Sequence, residues 1–84
     1  MTDHDVRQKL REYIVHTAQL SAPPGDDDRL IDKGFIPSVR LLDLIGFLED
    51  TFSIRLRAKD VVPENLGTIA QIAQIVHDRI MSTR

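Results

Sequence analysis

Apolar residues recur at steps of three and four in three separate segments of the chain, and this spacing is typical of amphipathic helices. It predicts a first helix over Asp3–Leu20, a second over Ser38–Phe52 and a third that begins at Thr68. Residues 60–66 contain a proline and predict at best one short helical turn. The alternating segment 54–57 has no second strand to pair with, so we expect an extended connector. The predicted fold class is all-α, with three long helices and one short helix around a single aliphatic core.

Residues that start and stop helices support these bounds. Thr2 or Asp3 can accept hydrogen bonds from the first turn of the first helix, and Pro23-Pro24-Gly25 ends that helix. Thr68 and Gln71 have the spacing of a capping box. Each terminal helix therefore has a local signal for where it begins.

The second helix has a core face and a mixed outer face. At about 100° per residue, four residues form an apolar stripe and two more flank it: Leu41, Ile45, Leu48 and Phe52, with Leu42 and Leu44 beside them. The outer face mixes charged and apolar residues: Arg40, Asp43 and Asp50, with Val39, Gly46 and Phe47 among them. Val39 and Phe47 are therefore predicted to be exposed apolar side chains.

The stretch 21–37 shows neither a helical nor a strand period. Loops of this length are uncommon in compact domains and tend to be functional or disordered. This one contains four large apolar residues, namely Leu30, Ile31, Phe35 and Ile36. We expect a loop that is pinned onto the core.

Length and composition argue against several classes of function. The 84 residues indicate one domain, residues 1–84, and a chain of this size has little room for a deep substrate cavity, so an enzyme is not expected. A net charge of -2 argues against nucleic-acid binding, and the chain has no cysteine for a disulfide or thiolate chemistry. No apolar run approaches the ~20 residues that span a bilayer, and the N-terminus lacks a secretory layout. We expect a monomeric, cytoplasmic protein without membrane insertion.

The local sequence is more specific than the helix pattern. The segment Asp28-Arg29-Leu30-Ile31-Asp32-Lys33-Gly34-Phe35-Ile36-Pro37-Ser38-Val39 resembles the loop and attachment site of the acyl and peptidyl carrier proteins. In that family an acidic, leucine-bearing loop leads through a glycine to Asp-Ser-Leu or Asp-Ser-Phe, and a leucine-rich helix follows. Leu41–Phe52 is similar to that helix, Asp60–Leu66 to the family's short third helix, and Thr68-Ile69 to the start of its last helix. The resemblance covers nearly the whole chain and implies a small four-helix acyl-carrier-like bundle with a long loop between helices 1 and 2.

The resemblance also implies a function. Ser38 would carry a 4'-phosphopantetheine arm that a phosphopantetheinyl transferase moves from coenzyme A. The arm's thiol would hold an acyl or aminoacyl group as a thioester. The carrier would then serve a loading enzyme and downstream synthase, condensing or tailoring enzymes, and would catalyse nothing itself.

Two positions depart from the family pattern. Pro37 stands where the family has an aspartate, and Arg40 stands where many relatives have an acid. Both departures weaken the docking expected with the basic surface of a transferase. An adapted transferase or an unmodified Ser38 would each account for them.

The residues around Ser38 each have a functional and a structural interpretation. A serine that opens a helix is commonly just its N-cap, although the surrounding resemblance favours attachment. The predicted partner-binding residues are Val39, Arg40, Asp43, Phe47 and Asp50, and Glu49 is a further acidic candidate. The alternatives are a solvated face for the acids and packing against the long loop for Phe47.

The remaining polar clusters predict no catalytic or metal site. Asp26-Asp27-Asp28 lacks the alternation and the glycine of a calcium loop, so we expect a solvated acidic loop. Three histidines are far apart and lack metal-ligand spacing: His4, His16 and His77. A small basic patch could steer an acidic partner: Arg55, Arg57 and Lys59.

These observations lead to a stand-alone carrier protein as the predicted function. The moderate charge, Arg40 and the basic connector look less like a fatty-acid carrier. They favour polyketide, nonribosomal-peptide or related specialised biosynthesis. The competing interpretation is a carrier-fold interaction module that binds partners around Val39 and Phe47 and has no arm.

Overall fold

Helices form most of the described chain, and no described residue lies in a β-strand. The computed structural model describes residues 2–60 and 62–82, with Ser38, Ala58, Pro63, Glu64 and Ser82 described by their backbone alone. The three helices are α1 (Asp3–Ala18), α2 (Leu41–Phe52) and α3 (Ile69–Ser82). The 3-10 turns Ser38–Arg40 and Ala58–Asp60 and the four-residue helical turn Pro63–Leu66 lie between them. The predicted all-helical class is confirmed. The predicted count of four helices is not, because the fourth segment is a single turn.

Helix α1 begins where the sequence predicts. Thr2 is its N-cap: the Thr2 hydroxyl accepts the Asp5 N–H at 3.1 Å, and the Asp5 carboxylate accepts the Thr2 N–H at 3.3 Å. The hydrogen bond from the Thr2 N–H to the ionised carboxylate, and after it the Thr2 side chain, lowers the pKa of Asp5. The helix ends at Ala18 and not at the predicted Leu20, because Gln19 adopts a left-handed conformation with φ of 54°.

Helix α2 begins later than predicted. The helical stretch starts at Ser38 as a 3-10 turn, in which the Arg40 N–H donates to the Pro37 carbonyl at 2.8 Å. The α-helix proper runs from Leu41, with Arg40 as its N-cap residue. Interpreting Ser38 as the N-cap of α2 is therefore wrong. The tighter first turn moves the cap two residues along the chain.

The buried face of α2 is rotated from the predicted stripe. The buried residues are Leu44, Leu48 and Phe52, whereas Leu42, predicted to flank the core, is 78% exposed. The Phe47 ring stacks on an α1 ring, and this contact turns the Leu44 side of α2 inwards. The rotation of about 30° leaves Leu42 in solvent.

One cluster of buried apolar residues joins all the helices. Its members come from α1, the long loop, α2, the connector, the Pro63–Leu66 turn and α3: Val6, Leu10, Ile14, Leu30, Ile36, Leu44, Leu48, Phe52, Ile54, Leu66, Ile69, Ile72, Ala73 and Val76. Because residues 30 and 36 belong to it, the prediction of a loop pinned onto the core is confirmed.

The connector after α2, residues 54–57, forms neither a helix nor a strand. Its Leu56 N–H donates to the Glu49 carboxylate at 3.0 Å, and its Arg57 N–H donates to the Asp60 carboxylate at 3.1 Å. Asp60 is itself buried, and its Oδ2 lies 3.5 Å from Arg79 Nε on α3. Two carboxylates thus fix the connector against α2 and α3.

Helix α3 has half of its predicted capping box. The Thr68 hydroxyl accepts the Gln71 N–H at 3.1 Å, as expected, but the Gln71 side chain accepts from Gly67 and not from Thr68. Of the helices in the described ranges, none is long and apolar enough to cross a membrane.

Candidate functional site

Leu30 anchors the loop that leads to Ser38. Its side chain is fully buried, and its N–H donates to the Gly67 carbonyl at 2.7 Å. Its carbonyl accepts from the Phe35 and Ile36 N–H groups at 2.8 and 3.1 Å. Gly34, with φ of 79°, turns the chain between these bonds, a conformation that favours glycine. Every hydrogen-bonding group of Leu30 thus holds the segment that reaches Ser38.

The acidic end of the loop is solvated only in part: Asp27 is exposed as expected, whereas Asp26 is held in place. Asp26 is half-buried and forms ion pairs with Arg7, at 2.6 Å, and Arg11 on α1. Its carbonyl accepts the Ala70 N–H at the start of α3. Neither pairing could be seen in the sequence, because both partners are distant along the chain.

Asp28 closes a local turn in the same loop. Its carboxylate accepts the Gly25 N–H at 2.7 Å and lies 3.2 Å from the Lys33 ammonium. The hydrogen bond from Gly25 is the larger cause and the contact with Lys33 is the smaller one; both lower the pKa of Asp28. Hydrogen bonds and ion pairs therefore hold the first half of the loop both to itself and to the helices.

Ser38 lies at the junction between this anchored loop and α2. Its backbone belongs to the 3-10 turn, and its side chain lies outside what the structure describes. The neighbours on both sides are exposed: Pro37 before it, Val39 and Arg40 after it, with Val39 82% exposed. The chain therefore passes over the protein surface at this point.

Two exposed apolar side chains follow Ser38. Val39 was predicted to be exposed. Leu42, at 78% exposure, was missed because it was assigned to the flank of the core stripe. Val39 and Leu42 are three residues apart, the spacing of neighbours on one helix face, and that spacing was a signal available in the sequence. We call Val39 and Leu42 the apolar pair.

Charges beside the apolar pair are partly compensated. The Arg40 guanidinium lies 3.4 Å from the Asp43 carboxylate, and both side chains are about 60% exposed. A pair this exposed contributes little to stability. It nevertheless neutralises the acid that the sequence proposed for partner docking. Asp50, near the far end of α2, is exposed.

Phe47 is not exposed, which corrects its expected position on the outer face. Its ring stacks on Tyr13 of α1 with centroids 4.1 Å apart, and it meets Phe52 edge-on at 6.4 Å. The ring contacts of Phe47 are thus with α1 and with its own helix. Glu49 is likewise half-buried and holds the connector. Neither residue is a free docking group in this structure.

A partly open groove lies between α1 and the end of the loop. Its volume is about 290 Å³, at the lower end of the range for small-molecule sites. One wall is α1 and the other is the loop and first turn around Ser38: Tyr13, Thr17 and Ala18, with Gly34, Phe35, Ile36, Pro37 and Arg40. We call it the α1–loop groove. The sequence did not reveal it, because its two walls are distant in the chain.

The remaining polar clusters of the sequence are the metal-binding candidates and the basic connector. Across residues 2–60 and 62–82, no group of three or more His, Cys, Asp or Glu side chains could hold a metal ion. The basic residues of the connector, Arg55, Arg57 and Lys59, are exposed. They lie beyond the C-terminal end of α2, whereas Ser38 precedes its N-terminal end.

No protein-family model, curated protein or solved structure matches the chain. The function is therefore inferred from the residues around the loop–α2 junction.

Proposed function

We propose that this protein is a carrier that holds acyl or aminoacyl groups on a phosphopantetheine arm at Ser38. The observation that carries the proposal is the position of Ser38. Its backbone lies at the junction of an anchored loop and a helix, between neighbours that are all exposed. The backbone of Ser38 is thus carried by a rigid frame and not by a mobile terminus. A modifying enzyme needs such a presentation.

The surroundings suit a phosphodiester. The junction lies at the N-terminal end of α2, where backbone N–H groups and the helix dipole favour negative charge. Arg40, two residues away, adds a positive charge whose present partner is an exposed carboxylate 3.4 Å away. Asp43 opposes the phosphate, so the net electrostatic gain is modest. Pro37 supplies no N–H and no carboxylate, which leaves Arg40 as the charged neighbour closest along the chain.

Attachment of the arm is a phosphoryl transfer from coenzyme A to the Ser38 hydroxyl. The Ser38 hydroxyl oxygen bonds to the phosphorus that bears the pantetheine group of coenzyme A, the bond from that phosphorus to the adenosine-bisphosphate portion breaks, and the hydroxyl proton passes to the transferase. The arm supplies a thiol that holds cargo as a thioester. The chain's own residues present, orient and release the cargo to partner enzymes. They catalyse no reaction.

The apolar pair is the proposed contact for those partners. Exposed apolar side chains beside charged residues are typical of the centre and rim of an interface. Val39 and Leu42 provide the centre, and Arg40 and Asp43 provide the rim. A phosphopantetheinyl transferase would dock here, and so would a loading enzyme and a downstream synthase. Asp50 extends the surface along α2. Phe47 would contact a partner only after leaving its stack with Tyr13.

The finer architecture is part of the same proposal. Counting the turn Pro63–Leu66 as a short third helix gives the four-helix carrier arrangement, with the long loop between helices 1 and 2. The exposed basic connector and Arg40 favour a carrier of specialised biosynthesis over one for fatty acids. A monomer in the cytoplasm would fit both roles. Comparing loading with malonyl and aminoacyl donors tests the cargo, and exclusive service to fatty-acid synthase would reject this assignment.

The attachment itself is tested by intact mass. The protein is incubated with coenzyme A and a permissive transferase, and the native transferase is tried as well. We expect the mass to rise by one phosphopantetheinyl group, and Ser38→Ala to abolish the rise while circular dichroism is unchanged. Ser21→Ala, an exposed loop serine, is the matched control and should be modified like wild type. An unchanged mass with both transferases rejects the arm.

A second function is favoured by two specific observations. Pro37 replaces the acid expected before the serine, and Arg40 neutralises Asp43. Without an arm, the same apolar pair would make the protein a carrier-fold interaction module. The mass measurement separates the two functions, because a carrier gains the mass of the arm and the module does not. The module should also bind its partners equally well after Ser38→Ala.

A further inference from the structure

The α1–loop groove begins at the residues that flank Ser38. Pro37 and Arg40 line it on either side of that serine in the chain, and Tyr13 and Thr17 line the opposite wall. Resting on the function proposed above, we propose that this groove is the resting site of the pantetheine arm between deliveries. The inference concerns α1 and the loop, and not the apolar pair on the outer side of α2.

The chemistry of the groove follows that of the arm. Next to Ser38, Arg40 offers a cation to the phosphodiester. Beyond it, Phe35 and Ile36 offer apolar surface to the geminal methyl groups of the arm. The hydroxyls of Tyr13 and Thr17 make no hydrogen bond to another residue in the described part of the chain, so both remain available to the arm's amides.

The tether at Ser38 sets which part of the arm the groove holds. The groove has a volume of about 290 Å³ and is partly open to solvent. Because the arm is bonded at Ser38, its phosphodiester and geminal methyl groups are the part that lies beside Pro37 and Arg40, and the thiol end extends away from them. The cargo stays accessible while the arm is held.

The groove has a rigid wall and an adjustable wall. Ile36 is buried in the core, and its N–H is bonded to Leu30, so the loop wall is fixed. On α1, Thr17 is exposed and Ala18 half-buried. Substitutions at these two positions can fill the groove without disturbing the core. They provide the means to test the inference on a folded protein.

The test is proton NMR on the arm-loaded protein, with loading verified first by intact mass. We expect nuclear Overhauser contacts from the geminal methyl protons to the Tyr13 and Phe35 rings. We also expect shifts of the Thr17, Ala18 and Gly34 amide signals on loading. Thr17→Gln and Ala18→Leu each place extra atoms in the groove and should weaken these contacts by at least about threefold, the change expected if the occupied fraction falls from about three-quarters to one-quarter. Lys9→Gln, an exposed change on α1 outside the groove, should leave them unchanged.

Each outcome of the NMR experiment either supports or rejects the resting site. Methyl contacts to Tyr13 and Phe35 that weaken in both filling variants but persist in Lys9→Gln support the groove. A loaded wild-type protein without these contacts, or with contacts that both filling variants retain, overturns the inference and leaves the carrier function intact. Failure to load with either transferase rejects the carrier function, and the resting site is rejected with it.

Discussion

Two leucines in contrasting environments provide the sharpest test of the loop's place in the fold. Leu30 lies in the long loop and is fully buried, whereas Leu42 lies in α2 and is 78% exposed. Replacing each with alanine removes the same atoms. Burial alone then decides the difference in the free energy of unfolding.

The magnitude follows from the packing. Removing a fully buried leucine side chain costs about 2–5 kcal/mol, because a transfer term and a cavity term add. A domain of 84 residues is stable by about 4–13 kcal/mol in total, so Leu30→Ala removes a large share. The melting temperature should fall by at least about 8 °C. Leu42→Ala should change the free energy of unfolding by less than about 0.5 kcal/mol.

Urea unfolding followed by circular dichroism measures both variants. We expect a large decrease in the midpoint for Leu30→Ala, with little change in the slope, and no significant change for Leu42→Ala. If the two variants differ by less than about 0.5 kcal/mol, the loop is not part of the core and the frame proposed for Ser38 does not exist.

Two further pairs of substitutions test the loop. Gly34→Ala should lower the free energy of unfolding by about 1–2 kcal/mol, because φ of 79° is strained for a residue with a side chain. Gly46→Ala, in helix α2 with open space at the new methyl, should raise it by about 0.5–1 kcal/mol; denaturant unfolding that gives both changes the same sign contradicts this account. Asp26→Asn should destabilise the protein by about 1–2 kcal/mol, less at high salt, since two arginine pairings weaken. The exposed Asp27→Asn is its control, and equal effects of the two at low salt would show that the pairings are not stabilising.

Local signals in the sequence predicted much of the fold. Thr2 capping α1, the helical period of the three helices and the apolar residues of the loop each depend on neighbours a few positions away. The four apolar residues of the loop predict a loop pinned onto the core, and two of them, Leu30 and Ile36, are buried. The attachment candidate, Ser38, was likewise placed at a loop–helix junction.

Long-range contacts explain what the sequence did not predict. The rotation of α2 depends on the stack of Tyr13 on Phe47, two residues from different helices. That contact covers part of Phe47, and Leu42 is left exposed, so both expectations are reversed. The pairing of Asp26 with Arg7 and Arg11 also joins distant segments. Helical spacing fixes which residues share a face, but it does not fix which face another helix covers.

The first turn of α2 shows a subtler limit. A serine before a leucine-rich segment resembles a helix N-cap, yet the α-helix begins three residues later. The Pro37 carbonyl accepts from the Arg40 N–H, which closes a 3-10 turn over Ser38 and Val39. The competition between a 3-10 and an α turn at a helix end depends on one hydrogen bond, and propensity does not resolve it.

Peptide mapping of the arm-loaded protein tests the central claim most directly. Trypsin cleavage after Lys33 and Arg40 releases residues 34–40, in which Ser38 is the sole hydroxyl-bearing side chain. After treatment with coenzyme A and a transferase, we predict that this peptide carries the added phosphopantetheinyl group and that fragment ions place it on Ser38. An unmodified 34–40 peptide, whether the rest of the protein gains mass or not, would contradict the account.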